Sequence, residues 1–346
     1  MKKILFLLFP FGLFAQVSTW SETTPKLKYA NTIVIEDLKR HIGILAGDSL
    51  QGRETGKAGQ KMAANYIANF FKEIGIPPYR NNSYFQKFKV KTVKRYGKWK
   101  WDKKGVLGKM FDNNYIRGEN IIGFIEGSDL KDEILVITAH YDHLGIKDSL
   151  IYNGADDNGS GTIAIMEIAE AFMLAKKEGK GPRRSILIMP VSAEEKGLLG
   201  SKYYTENPIY PLENTIANLN VDMIGRIDDY HENPNYIYLI GSDRLSTELH
   251  DISEEVNDKY INLELDYKYN DENDPNRYYY RSDHYNFAKN NIPVIFYFNG
   301  IHADYHKASD TIDKIHFPKI EKICRYIFLT AWELANRDER PKLNID

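Results

Sequence analysis

Six side chains that can bind metal ions or transfer protons are spread along this 346-residue chain. Most of them follow short apolar runs that are typical of β-strands, and open α/β sheets form their active sites at strand ends. A side chain that holds a divalent ion needs rigid backbone, which such a strand end supplies. The pattern is therefore typical of a hydrolase with two metal ions, with candidate residues His140, Asp156, Glu194, Glu195, Asp222 and His306.

The first candidate, His140, ends the apolar run 134–139, and Asp142 follows two residues later. A metal-binding imidazole needs its second ring nitrogen held in place, and a nearby Asp commonly does this. A single His at a strand end is more often a structural residue that makes a hydrogen bond. The metal-binding interpretation therefore depends on the segments that follow.

A Gly-rich acidic loop over 152–161 carries two adjacent carboxylates, Asp156 and Asp157, after Gly154. Ordinary helix capping is the alternative role for this loop, but capping needs only one such residue. A carboxylate has two oxygens and can bridge two ions, which an imidazole cannot do. We therefore take Asp156 as the candidate bridge.

The pair Glu194 and Glu195 follows the apolar run 186–191. Two neighbouring like charges are costly unless cations offset them, although a solvated turn remains the alternative. If one glutamate binds a metal ion, the other lies beside it and suits a general base for an attacking water. Asp222, after the run 216–221, and His306 would complete the set.

Strands and helices alternate from about residue 120, which favours a mainly parallel sheet with helices on both faces. Two helical patterns at 33–45 and 59–74 precede this part, and an aromatic, basic and irregular stretch occupies 84–118. Strands are predicted at 121–125, 134–139, 186–191, 216–221, 237–240 and 294–298, and helices at 161–177, 197–206, 245–259, 284–290 and 318–336.

The first 15 residues have the basic start, apolar run and small residue of a secretory signal. A membrane anchor is the alternative, but the run is too short to span a bilayer. We therefore expect a secreted or periplasmic protein without a stable membrane anchor. The predicted organisation is a signal peptide at 1–15, a flexible segment at 16–31 and a single domain at 32–346 with an irregular excursion at about 84–118.

Charge and cysteine content exclude some classes of protein. The chain has 46 basic and 48 acidic residues and no basic stripe, so it offers no electrostatic field for nucleic acid. Cys324 is the only cysteine, so an internal disulfide cannot form and stability must come from a core. No obligate protein partner is predicted.

Several motifs resemble those of the co-catalytic di-zinc aminopeptidases, the family of bacterial leucyl aminopeptidase and aminopeptidase Y. Segments 282–287 and 50–56 are also similar, and the resemblance covers roughly 34–336. It implies a zinc-exopeptidase fold, which is a three-layer α/β fold with a mixed, mostly parallel sheet between helices, and two Zn²⁺ ions per chain. The motifs are AHYD at 139–142, GADDNGSG at 154–161, SAEEKGLLGS at 192–201, NVDM at 220–223 and Tyr305-His306.

The resemblance also implies a role for each matching residue. His140 and Asp222 would hold one ion, Glu195 and His306 the other, and Asp156 would bridge them. Glu194 would be the general base, Asp142 would orient His140, and a cis peptide bond would join Asp156 to Asp157. The implied activity is that of a secreted zinc metallopeptidase, an aminopeptidase that hydrolyses N-terminal residues of peptide or protein substrates.

The substrate contacts are less defined. Tyr280 from a Tyr-rich stretch, Asp283 and His284 are candidates, although packing explains the tyrosines and a local hydrogen-bond network explains His284 equally well. His143 replaces the small polar residue of many relatives, and we expect it at the surface rather than as a donor to a ligand. His302 receives no role.

Two other functions remain open. A glutaminyl cyclase, which is a single-zinc acyltransferase, shares the fold, but the chain retains both outer ligands, His140 and Asp222, beside the bridge. A non-enzymatic binding ectodomain is the third possibility, and such relatives tend to lose ligands that this chain keeps. Aminopeptidase, carboxypeptidase and dipeptidase activity are not separated by the motifs.

Overall fold

A mixed seven-stranded sheet supports the protein in the computed structural model, which describes residues 24–91 and 115–344. Its strand order is β10-β9-β11-β8-β4-β7-β3. These strands are β3 Gly123–Ile125, β4 Leu130–His140, β7 Arg184–Val191, β8 Thr215–Val221, β9 Tyr236–Ile240, β10 Glu264–Asp266 and β11 Val294–Phe298. Two small sheets pair β1 Phe85–Lys91 with β2 Tyr115–Ile121, and β5 Gly145–Lys147 with β6 Leu150–Tyr152.

The centre of the large sheet is parallel. Neighbouring strands β11, β8, β4 and β7 all run in the same direction. Strand β9 is antiparallel to β11, and β3 is antiparallel to β7. The mixed, mostly parallel sheet that the motifs implied is therefore confirmed, and its central strands have their carboxyl ends at one edge.

Helices cover both faces of this sheet. They are α1 Pro25–Ala30, α2 Ile35–Leu45, α3 Ala58–Glu73, α4 Gly161–Lys177, α5 Leu199–Glu206, α6 Thr247–Val256, α7 His284–Ala288 and α8 Phe317–Asn336. Side chains of β4 alternate between the two faces, so that Leu135 and Ile137 pack into one apolar core and Ile134 and Val136 into the other. The predicted three-layer α/β fold is therefore confirmed.

The stretch predicted to be irregular, 84–118, begins and ends as regular strands. Phe85–Lys91 pairs antiparallel with Tyr115–Ile121, and the part of the prediction on 92–114 lies outside the described residues. Gln86 and Phe88 are buried while Lys87 and Lys89 are exposed. The strand period of two was present in the sequence, but glutamine and lysines obscured it.

The predicted signal peptide at 1–15 lies outside the described residues, as does the flexible segment up to residue 23. Residues Pro25–Ala30 of that segment form a helix instead, because Tyr29 is buried and stacks on Trp332 of α8 with ring centroids 5.7 Å apart. Among residues 24–91 and 115–344, no helix is both long and apolar enough to cross a membrane.

A polar pair lies buried between two helices away from the sheet edge. His41 on α2 and Glu167 on α4 are almost inaccessible, with 3.3 Å between Nε2 and Oε1. Burial raises the pKa of Glu167 to about 8 and lowers the pKa of His41 to about 4. A carboxyl whose pKa is raised by folding stabilises the protein below its unfolded pKa, and this contribution is lost as the pH rises through the folded pKa.

We therefore expect Glu167→Gln to stabilise the protein at pH 8 by up to about 4 kcal/mol, because glutamine removes the buried charge while retaining the shape. At pH 5, where Glu167 is largely protonated, the gain should be small. Urea denaturation at both pH values measures it. Glu36→Gln on the exposed side of α2 is the control and should change little. Equal gains for Glu167→Gln at pH 5 and pH 8 would contradict the prediction.

Candidate metal centre

The carboxyl ends of four neighbouring parallel strands bring the candidate residues together. His140 is the last residue of β4, and Asp222 directly follows β8. Glu194 and Glu195 follow β7, and His306 lies in the loop after β11. The sequence prediction that these residues converge at one edge of the sheet is thus matched by the structure.

One group of ligand atoms surrounds His140. Its Nε2 lies 3.3 Å from Asp157 Oδ1 and 3.2 Å from Asp222 Oδ1. Its Nδ1 lies 3.1 Å from the backbone carbonyl of Asp142, a contact that leaves Nε2 available for an ion. Ser282 donates a hydrogen bond of 2.7 Å to Asp222 Oδ2 and so fixes that carboxylate. His140, Asp157 and Asp222 can therefore hold one cation.

A second group lies on the other side of Asp157. His306 Nε2 is 3.1 Å from Asp157 Oδ2 and 3.4 Å from Glu195 Oε2. His143 Nδ1 is 2.9 Å from Glu195 Oε1, and His143, Asp157 and Glu195 form a second set of potential ligands. Asp157 thus presents one oxygen to each group, which is the geometry of a bridging carboxylate.

The predicted bridge, Asp156, is wrong. Its Oδ1 accepts a 2.6 Å hydrogen bond from the backbone N–H of Gly225, and its Oδ2 lies 3.2 Å from His302 Nε2, on the far side of the loop. The cis peptide bond joins Asp157 to Asn158 rather than Asp156 to Asp157. Sequence adjacency could not show which carboxylate faces the sheet edge, because this depends on how Asn158 attaches the loop to Val221 of β8.

Asp142 connects the turn after β7 to the strand end at β4. Its Oδ1 accepts a hydrogen bond from the backbone N–H of Glu194 at 3.2 Å, and its Oδ2 accepts one from Thr55 at 2.7 Å. Its carboxylate is 3.8 Å from His140 Nδ1, farther than its own carbonyl oxygen. Asp142 therefore orients His140 mainly through its backbone and uses its side chain to hold Glu194.

Glu194 belongs to neither ligand group but lines the same pocket as His140, Asp157 and Asp222. Burial raises the pKa of its carboxyl well above the usual value, and the neighbouring Glu195 and Asp222 raise it further while His140 opposes them. Ala193, directly before Glu194, has a backbone φ of 60°, which lies in the left-handed region. Glu194 lines the pocket, whereas Glu195 contacts His143 and His306.

The buried carboxyl groups at this edge of the sheet favour bound cations. Burial raises the pKa of Asp142 and raises that of Asp283 to about 7. Burial alone would lower the pKa of His140, but the Asp222 and Asp157 carboxylates hold it well above its usual value. Without cations, the site therefore holds extra protons to balance its negative charge.

The donor set fits a pair of zinc ions, because imidazole nitrogens and carboxylate oxygens are ligands that Zn²⁺ prefers. Buried Glu195 Oε1 and both ring nitrogens of His143 make no hydrogen bond within the described part of the chain. Buried polar atoms normally have partners, so these atoms are expected to face a ligand.

Arg53 is a structural residue of the site that the sequence did not reveal. It is buried, and its guanidinium donates hydrogen bonds to the backbone carbonyls of Tyr141, Asn153 and Gly154. It therefore joins the loop after β4 to the loop that carries Asp157. The Gly-rich segment 50–56 was noted as similar to relatives, but nothing local distinguishes Arg53 from an exposed arginine.

The substrate residues predicted from sequence do not line the pocket. Tyr280 is exposed and packs on Tyr285, Asp283 is buried and accepts a hydrogen bond from Ser201, and His284 stacks on Phe296 behind the pocket wall. Residues 278–280 form a 3₁₀ turn, in which positions three apart share a face. Tyr278 and Arg281 therefore line the pocket, with Met223, Phe296, Phe298, Ile301 and Tyr305.

Some curated relatives match most of the chain at low identity, and others match a short segment at higher identity. The aminopeptidase YwaD of Bacillus subtilis is 23% identical over 319 residues, which cover 88% of this chain and 65% of YwaD. The probable glutamate carboxypeptidase LAMP1 of Arabidopsis thaliana is 37% identical over 105 residues, covering 30% of this chain and 14% of LAMP1. The chain thus spans less than two thirds of either relative.

Solved structures share the fold. The LapA aminopeptidase of Legionella pneumophila superposes with a TM-score of 0.67 at 23% identity, over 98% of this chain and 81% of LapA. The glutaminyl cyclase of Porphyromonas gingivalis superposes with a TM-score of 0.61 at 17% identity, over 86% of this chain and 98% of the cyclase.

The family resemblance of the motifs is confirmed by a direct match. The family model of peptidase family M28 matches residues 120–331, more than half of the chain and the part that contains both ligand groups. This protein therefore belongs to peptidase family M28.

Proposed function

We propose that this protein is a zinc-dependent exopeptidase that acts as an aminopeptidase on peptides. The observation that carries the proposal is the position of Asp157 between two imidazole and carboxylate groups. Membership of peptidase family M28 supports peptide hydrolysis, and the names of YwaD and LapA favour aminopeptidase action.

His140, Asp157 and Asp222 would hold one zinc ion, and Asp157, Glu195 and His306 would hold the other. Two bound zinc ions would supply Lewis acidity, which polarises a peptide carbonyl and makes water more acidic. The chain positions these donors through Ser282, which holds Asp222, and Arg53, which holds the loop of Asp157.

Glu194 would accept the proton of the attacking water and return it to the leaving amine. It lies in the pocket between the two ligand groups without belonging to either, and the hydrogen bond from its backbone N–H to Asp142 fixes its turn.

We also propose that the protein is exported from the cytoplasm. The basic start and apolar run of the first 15 residues support secretion or delivery to the periplasm. An exported exopeptidase would act on peptides outside the cytoplasm.

Carboxypeptidase or dipeptidase action is a second candidate, and Arg281 favours it. This arginine lines the pocket beside Tyr278, with its guanidinium carbon 4.9 Å from the tyrosine ring centroid. A guanidinium matches the two oxygens of a carboxylate, so Arg281 could bind the free C-terminus of a short peptide. The local match to a probable glutamate carboxypeptidase points the same way.

Glutaminyl cyclase action and non-enzymatic binding have less support. The likeness to a solved cyclase concerns the fold, and a single-zinc site would not need ligands on both sides of Asp157. A binding ectodomain would have no use for the buried carboxylates, which are costly without cations.

Substitution of Asp157 tests its role as the bridge. Asp157→Asn should reduce zinc from two ions to one or fewer per chain, because a neutral amide cannot bridge two cations. Asp156→Asn is the matched control and should keep both ions, since Asp156 faces Gly225 and His302. Elemental analysis of the folded variants measures the zinc content. Equal zinc content in the two variants would contradict the assignment of Asp157.

Substitution of Glu194 tests its role as the general base. Glu194→Gln should retain both zinc ions while turnover falls about 10²-fold or more, the scale of a positioned acid–base group. Glu195→Gln provides the contrast, because it should lose zinc together with activity. If Glu194→Gln kept near-normal turnover at full zinc content, another residue would be the base.

Free and N-acetylated peptides test the substrate class. With zinc supplied, aminoacyl reporters and peptides with a free N-terminus should be cleaved, and their N-acetylated forms should resist. Equally fast cleavage of acetylated peptides would remove the aminopeptidase assignment, and pyroglutamate formation from N-terminal glutamine would identify a cyclase. Chelation of zinc should abolish cleavage.

Arg281→Gln separates the two exopeptidase candidates. If the guanidinium binds a substrate carboxylate, KM for dipeptides should rise about 10-fold or more relative to C-terminally amidated dipeptides, because a charged hydrogen bond contributes about 1.5–3 kcal/mol. Arg281→Lys is the control that retains the charge. Equal effects on free and amidated dipeptides would exclude carboxylate recognition by Arg281.

A further inference from the structure

His143 occupies a position that the family resemblance did not assign. The sequence placed it at the surface, but its side chain is fully buried beside the second ligand group. Its backbone N–H donates to the carbonyl of Arg53 at 3.3 Å, which anchors the residue inside the loop after β4. The expected surface position is therefore wrong.

Gly154 makes room for the His143 ring. A Cβ at position 154 would lie 2.4 Å from His143 Cγ and 2.1 Å from the backbone oxygen of Asp157. Gly154 also has a backbone φ of 55°, in the left-handed region that favours glycine. The absence of a side chain there allows the imidazole to pack directly against the loop that carries Asp157.

The ring nitrogens of His143 lack hydrogen-bond partners within residues 24–91 and 115–344, although they are buried. Nδ1 nevertheless lies 2.9 Å from Glu195 Oε1 and 3.8 Å from Asp157 Oδ2. The rings of His143 and His306 have centroids 6.0 Å apart and are inclined by 62°. His306 Nε2 approaches the same two carboxylates, Asp157 and Glu195, so both imidazoles lie beside one carboxylate pair.

We propose that His143 is a further ligand of the cation held by Asp157, Glu195 and His306. This inference rests on the metal centre of the proposed function. The second position then has four protein donors, whereas the position of His140, Asp157 and Asp222 has three. Zinc sites with four protein ligands are closed, and sites with three leave one coordination position for water or substrate.

The two cation positions are therefore unequal. The four-donor position binds zinc more tightly and fills first, and the three-donor position fills second. A chelator of moderate strength would remove the second ion before the first.

The alternative to a ligand role is that His143 only orients Glu195 by donating a hydrogen bond to it. His143→Asn separates the two roles, because the asparagine amide places a donor near the site of Nδ1 but is a poor zinc ligand. A ligand role predicts that His143→Asn behaves like His143→Ala. An orienting role predicts that His143→Asn behaves like the wild type.

The test is a zinc titration of the apo full-length chain against a chromophoric competitor, with circular dichroism as the check on folding. The wild type should bind two ions with separate affinities. His143→Asn and His143→Ala should weaken the tighter site at least about 100-fold and leave the weaker site unchanged. His306→Ala should affect the same site as His143→Asn, whereas His140→Ala should affect mainly the weaker site.

X-ray absorption at one equivalent of zinc gives a direct measurement on the folded wild type. Two imidazoles on the first-bound ion are expected, with one in His143→Asn. A single imidazole in the wild type, or wild-type affinity in His143→Asn, would overturn the inference. If the wild type bound no zinc, the proposed metal centre itself would fail, so the two failures are distinguishable.

Discussion

Mutual repulsion among buried carboxylates is the constraint on which this structure depends. Asp157, Glu194, Glu195 and Asp222 converge at one edge of the sheet, where water cannot screen them fully. The buried cation Arg53 donates to backbone carbonyls and does not pair with any of these carboxylates. Such an arrangement is stable only when protons or cations neutralise it, and imidazoles among carboxylates are ligands that Zn²⁺ prefers.

The rest of the site resists this repulsion by fixing each carboxylate separately. Asp222 accepts a hydrogen bond from Ser282, and Asp142 accepts bonds from Thr55 and from the backbone of Glu194. The backbone N–H groups of Asp156 and Asp157 both donate to the carboxylate of Asp310. These hydrogen bonds hold the donors close together before any ion binds, so less rearrangement accompanies binding.

Strand-end residues were predictable from sequence because a parallel sheet places successive strand ends at one edge. His140 and Asp222 end or follow short strand-like runs, and their meeting required only the correct assignment of those runs. Which of Asp156 and Asp157 is the bridging carboxylate depends on which side chain the turn directs toward the sheet edge, and composition does not encode this. The burial of His143 beside the ligand groups depends on the space that Gly154 leaves. The position of Arg281 in the pocket depends on the 3₁₀ period of a short turn.

The strands also differ in how far the sequence predicts them. Central strands β4 and β7 contain buried, mostly apolar runs at 134–139 and 186–191, which are typical of strands covered on both faces. Strand β8 is also buried throughout, but its sequence alternates apolar residues with Asn218 and Asn220. Strands β5, β6 and β10 have only three residues each. Strands β5 and β6 pair with each other across residues 148–149, and β10 pairs with β9, which lies far from it in the sequence. No local pattern of that length could have revealed them.

Arg53 and Thr55 have a consequence for how this fold can be divided or recombined. Both residues precede the segment that matches the family model, yet they bind the loops that carry Asp142 and Asp157. The matched segment alone is therefore not an autonomous unit. Any chimera that exchanged the amino-terminal portion for a relative's would have to import an equivalent buried guanidinium and hydroxyl at these two places.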